Sequence, residues 1–100
     1  MSVVSLKAKT ISPQAGTSVE VPLNARCRQV VVKNFSDGDI CAGITPNATK
    51  TDGMIRIPSF CAQVLTVYRA GEYGDNMIDT VYILADTASE NTVEVQAVGW

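Results

Sequence analysis

The strictest constraint on this chain is the spacing of its apolar residues, which recur at every second position. Val19, Val21 and Leu23 alternate with Ser18, Glu20 and Pro22; Ile55 and Ile57 alternate with Met54 and Arg56; Val93, Val95 and Ala97 alternate with Thr92, Glu94 and Gln96. Val30 and Val32 share one parity within RQVVVKN. Successive side chains of an extended strand point to opposite faces, so a period of two gathers each apolar row on one face. Val and Ile dominate these rows, and β-branched residues suit a pleated surface. No stretch sustains a period near 3.6, so helix content should be close to nil.

Turn chemistry separates the apolar rows. Ser36-Asp37-Gly38-Asp39 falls between two of them and reads as a hairpin turn, with Gly tolerating positive φ and Asp favouring turns. Asp52-Gly53 gives the same signal before Met54, Thr45-Pro46-Asn47 breaks the chain, and Ala15-Gly16-Thr17 starts a new segment. Strands are therefore expected near 3–8, 18–23, 28–34, 39–44, 54–58, 62–69, 80–85 and 92–98. About eight short strands at this spacing predict an all-β fold, a single antiparallel β-sandwich of jelly-roll or immunoglobulin-like type. One hundred residues supply one domain, 1–100, with a modest core.

Two segments break the one-sided pattern. Val64, Leu65, Val67 and Tyr68 are apolar at both parities, as are Val81 to Ala85. Either loops cover the outer face of these strands, or a neighbouring subunit does. The longest unpatterned connection is AGEYGDNMID, Ala70 to Asp79, in which Gly71 and Gly74 loosen the backbone while Tyr73 and Met77 offer apolar area. A loop of this length is either a plain crossover or a binding element. On the second reading Tyr73, Asp75 and Met77 contact a partner, together with Trp100, which is tucked onto the last strand or presented outward. Thr45–Asp52 is a second polar loop of the same standing. Phe35, Phe60 and Tyr82 lie in or beside apolar rows and are expected to pack in the core.

Catalytic chemistry finds little to work with. The chain has no histidine, which removes imidazole general acid–base work, Ser-His-Asp and Cys-His machinery, and imidazole metal ligation. Cys27, Cys41 and Cys61 lack the paired spacing of a zinc site, and in a chain without a visible signal peptide they are expected as buried free thiols. Asp37 and Asp39 alternate as calcium ligands can, but without the spacing of a calcium loop. No phosphate-cradling glycine loop and no nucleophile elbow occurs. No enzymatic activity, cofactor or metal is expected.

Charge narrows the partners. Residues 1–33 balance to +4, residues 34–69 to zero and residues 70–100 to −6. Either the first and last strands pair within the domain, or the surface is bipolar and suits head-to-tail assembly. An acidic chain of net charge −2 is a poor match for nucleic acid. The longest uncharged stretch, Ile57 to Tyr68, is too short and too polar for a membrane helix.

The runs VVVKNFSDGDICAGI, IRIPSFCAQVLTV, TVYILAD and TVEVQAVGW together resemble small β-sandwich structural proteins of tailed phages and prophages. Asn34, Ser36, Asp37, Ile40, Ile57, Pro58, Val93, Glu94 and Val95 carry the likeness, over about two-thirds of the chain; Ser59-Phe60 departs from it where a Gly turn is usual. The resemblance implies a virion protein synthesised in a bacterial host's cytoplasm: a capsid decoration, head fibre or tail component that contacts other virion proteins and its own copies. Its motifs mark turns and core faces, so no functional residue transfers. A carbohydrate- or ligand-binding sandwich is the alternative and predicts an exposed groove lined with aromatic residues.

Overall fold

The computed structural model describes residues 8–66 and 78–98, and these form eight strands with no helix. They are β1 (Ala8–Ile11), β2 (Val19–Cys27), β3 (Gln29–Asn34), β4 (Ile40–Gly43), β5 (Ile55–Ile57), β6 (Ala62–Thr66), β7 (Ile78–Ala85) and β8 (Val93–Val98). Seven of the expected strands have their counterparts, and β1 shares only Ala8 with the first expected strand, its residues Ala8 to Ile11 pairing with Gln96 to Val93. Residues 3–7 and 67–69 of the expected strands lie outside the described residues.

Two four-stranded antiparallel sheets stack, ordered β1-β8-β3-β6 and β2-β7-β4-β5. The ladders β4–β5, β3–β6, β2–β7 and β1–β8 pair the strands as the two arms of one long hairpin, bent between β4 and β5. Successive rungs of that hairpin fall alternately in one sheet and the other, and the ladders β3–β8 and β4–β7 complete each sheet. This rolled hairpin is the jelly-roll topology, which decides between the two sandwich types the sequence left open. The ladder between β1 and β8, with Lys33 of β3 3.4 Å from Glu94 of β8, sets part of the basic first third beside the acidic last third.

The core lies between the sheets and follows the period of two. Val21 and Leu23 of β2, Val30 and Val32 of β3, Ile40 and Ala42 of β4, Val81, Ile83 and Ala85 of β7, and Val93, Val95 and Ala97 of β8 all face inward and are buried. Among the described residues the buried core holds no aromatic side chain. The expectation that Phe35, Phe60 and Tyr82 pack inside is therefore overturned: the phenylalanines are 53% and 69% exposed, and Tyr82 is half-buried at the parity opposite to Val81 and Ile83. The inward rows are supplied by short branched and small side chains, while Phe35 falls at the opposite parity and Phe60 lies in the β5–β6 turn.

The β3–β4 connection also departs from expectation. Its two strands sit in different sheets, so residues 35–39 form an arch across the sandwich rather than a hairpin turn. Gly38 is not in the left-handed region, whereas Gly53, before β5, has φ +96° and closes the true β4–β5 hairpin. The β4–β5 loop folds back over the outer face of its own sheet. A Cβ on Gly43 would lie 2.9 Å from Ala48 Cβ and 3.2 Å from the Gly53 carbonyl, so only glycine admits the loop this closely. The loop thus accounts for the burial of Gly43, opposite Tyr82 on β7.

Candidate protein-binding surface

Residues 12–18, 35–39, 58–61 and 86–92 gather at one end of the sandwich, and a single side chain organises much of it. Asn34 ends β3 with its side chain 1% exposed. Its amide nitrogen donates towards the carbonyls of Gly38 (2.8 Å), Ile57 (3.0 Å) and Pro58 (3.2 Å). Its Oδ1 accepts the Ser36 N–H at 2.9 Å and lies 2.6 Å from the Ser36 hydroxyl. The Ser59 hydroxyl donates to the Ser36 carbonyl, which ties the arch to the β5–β6 turn. No buried side-chain nitrogen or oxygen among the described residues lacks a partner. A satisfied buried polar network of this kind rigidifies what it holds.

What this network holds outward is aromatic. Phe35 follows Asn34 directly, and the Asn34 N–H donates to the Cys61 carbonyl at 2.9 Å, next to Phe60. Phe60 sits at φ +59°, in the left-handed region that a bulky L-residue enters at a cost of roughly 1–2 kcal/mol. A strained backbone position occupied by an exposed ring breaks two local preferences at once, and such breaks concentrate at functional sites. The neighbouring Cys61 is exposed too. That corrects the expectation of three buried thiols, since Cys61 belongs to the β5–β6 turn rather than to a core-facing row.

Cys27 and Cys41 are buried and free, and burial pushes the Cys27 thiol pKa up. A thiol reagent should accordingly modify Cys61 of the native protein rapidly and Cys27 only after unfolding, as intact-mass kinetics would record. Rapid modification of Cys27 in the native protein would contradict the packing described.

Two depressions flank this end. One, of about 590 Å³, is lined by Ser12, Gln14, Ala88, Ser89, Glu90 and Asn91, with the Asn91 N–H donating to Ser12 Oγ at 2.9 Å. It is polar and shallow and has no aromatic wall. The other, of about 250 Å³, lies on the outer face of the second sheet between the ion pairs Arg56–Asp39 and Lys50–Asp86, with Cys41 and Leu84 between them. The Arg56 guanidinium holds the Asp39 carboxyl below its ordinary pKa, and Asp86 raises that of Lys50. Asp39 is committed to Arg56 Nε at 2.8 Å and accepts the Ser59 N–H at 3.3 Å.

Tyr73, Asp75, Met77 and Trp100, the residues the sequence suggests for partner contact, lie outside the described residues, as do residues 70–77 of the expected 70–79 loop, whose last two residues, Ile78 and Asp79, open β7 instead. Sequence reasoning passed over Phe35 and Phe60 because they adjoin apolar rows. The signal that could have found them is parity: Phe35 falls on the same side of its row as Lys33 and Val31, opposite the buried Val30, Val32 and Asn34. Comparison with protein-family models, with curated proteins and with solved structures yields no match to the chain.

Proposed function

We propose that this chain is a non-enzymatic structural protein of a phage or prophage particle, a capsid decoration that acts through protein–protein contacts made by many copies. The observation that carries the reading is the pair of exposed phenylalanines, one of them at positive φ, on an end braced by the Asn34 network. Exposed rigid aromatics are the side chains that anchor protein interfaces, since they bury large area at little entropic cost. The jelly-roll topology is shared by viral capsid domains, a support by analogy of fold alone.

Lectin domains share that topology, so carbohydrate binding is the second reading. It is favoured by the polar depression along Ser12, Gln14, Ser89, Glu90 and Asn91. The absence of an aromatic from that lining weighs against it, because a sugar face stacks on a ring. Co-sedimentation with assembled capsids of the same phage or prophage, run beside a glycan array, separates the two. Saturable pelleting with capsids and a silent array is the expected result; glycan binding without capsid binding would replace the first reading by the second.

A further inference from the structure

The two sheets leave four edge strands, and three are guarded against pairing with another chain. β1 carries Lys9, whose ammonium donates to the Pro22 carbonyl and laces the β1 edge to the β2 edge. β2 carries Pro22, Glu20 and a register irregularity between Pro22 and Cys27. β5 has only three residues, with the exposed Arg56 at its middle. Such short lengths, prolines, charges and bulges are the devices that keep edges from pairing. β6, Ala62-Gln63-Val64-Leu65-Thr66, has none of them: it contains no charge, no proline and no glycine, and it pairs without irregularity.

Its hydrogen-bonding phase follows from the ladder. The Asn34 N–H donates to the Cys61 carbonyl, so Asn34/Cys61, Val32/Gln63 and Val30/Leu65 are the bonded pairs of the β3–β6 ladder. The N–H and C=O groups of Ala62, Val64 and Thr66 consequently point away from β3, and no described strand meets them. Beside this edge the sandwich opens into a cleft of about 320 Å³, where Ile44 and Ile55 face Leu65. Val64, on the outer face next to Val31, is 48% exposed.

We infer that β6 is a dimerisation edge that pairs antiparallel with β6 of a second copy about a two-fold axis at Val64. The inference extends the reading of the chain as an assembly protein by naming one of its contacts. In that register Val64 meets Val64 of the second copy while Ala62 and Thr66 meet each other, so every outward N–H and C=O of the segment finds a partner. The side chains then form one apolar row, Val31–Val64–Val64–Val31, across a continuous eight-stranded sheet. A two-fold axis brings each residue near its own counterpart, so any charge near the axis would repel itself. β6 meets that condition, and the two-residue parity of the strand allows no other centred register that uses the same outward groups. A partner of different sequence would need no such freedom from charge.

The test is sedimentation equilibrium of the full chain, with amide hydrogen exchange. The wild type should approach twice 10.7 kDa with rising concentration, with slowed exchange at Ala62, Val64 and Thr66. Val64→Lys should weaken the dimer by about a hundredfold or more, through self-repulsion at the axis. Val64→Pro removes an N–H that points away from β3, so the domain keeps its ladder while the contact is lost. A wild type that stays at 10.7 kDa at millimolar concentration, or an assembly that both variants leave unchanged, would overturn the inference. Capsid binding by a strict monomer would remove this contact and leave the proposed function standing; a β6 dimer that ignores capsids would do the reverse.

Discussion

Replacing Asn34 with alanine should lower the stability of the domain by about 3–4 kcal/mol, a large fraction of what a domain of this size has. The side chain touches three carbonyls, from Gly38, Ile57 and Pro58, and accepts from Ser36. Alanine would strand those groups in a place too enclosed for water to replace every bond, and each buried orphan costs about 1–3 kcal/mol. Asn34→Asp keeps the shape but turns the donor into an acceptor facing three carbonyls, so it should lose as much at neutral pH. Thermal unfolding followed by circular dichroism should show the midpoint falling by roughly 15–25 °C for either variant. A drop below about 5 °C would mean that the network is ornamental.

Phe60→Gly should do the opposite to stability and the greater harm to binding. The backbone at Phe60 has φ +59° and its ring is 69% exposed, so glycine relieves the left-handed strain and surrenders little buried area. Against the added freedom of glycine in the unfolded chain, a net gain of about 0.5–1 kcal/mol is expected, or roughly 3–6 °C in the midpoint. If the ring anchors a partner, its removal should weaken capsid binding by about thirty- to a hundredfold, the loss typical of a central aromatic contact. Phe35→Ala should weaken binding with stability unchanged. A Phe60→Gly protein that is more stable and binds capsids as well as the wild type would remove the phenylalanine pair from the proposed interface. Stability and binding moving in opposite directions is the pattern left when a side chain is kept for function at the expense of the fold.

Much of this architecture is legible in the spacing of valine and isoleucine. The core rows of β2, β3 and β8, with Ile57 of β5, are alternating residues that the sequence sets out, because a strand's parity is a local property. In Val81 to Ala85 both parities are apolar, and only the fold turns Val81, Ile83 and Ala85 inward. The pairing of strands is not local. Ser36-Asp37-Gly38-Asp39 looks like a hairpin turn, yet the Asn34 side chain captures the Gly38 carbonyl and turns the chain into the opposite sheet. That choice depends on Ile57 and Pro58, more than twenty residues away, whose carbonyls bind the same amide. The burial of Gly43 beneath the β4–β5 loop is equally non-local, since it depends on the approach of Ala48.

The aromatic residues explain why the site was harder to read than the fold. A phenylalanine beside an apolar row is ordinarily core, and only its parity relative to Asn34 distinguishes Phe35 from that case. Phe60 has no parity to consult, because it sits in a turn, and no sequence rule assigns a positive φ to phenylalanine. The apolar character of Val64 and Leu65 at both parities is divided by the structure. Leu65 packs against the core, and Val64 is left half-exposed on an unguarded edge.

Quantitative mass spectrometry of purified particles tests the proposed role most directly. The chain is expected in intact particles, in a copy number fixed relative to the capsid protein and reduced by Phe60→Gly at equal expression. Particles that lack the chain, or carry it in amounts that vary freely and do not respond to Phe60, would rule out the proposed role.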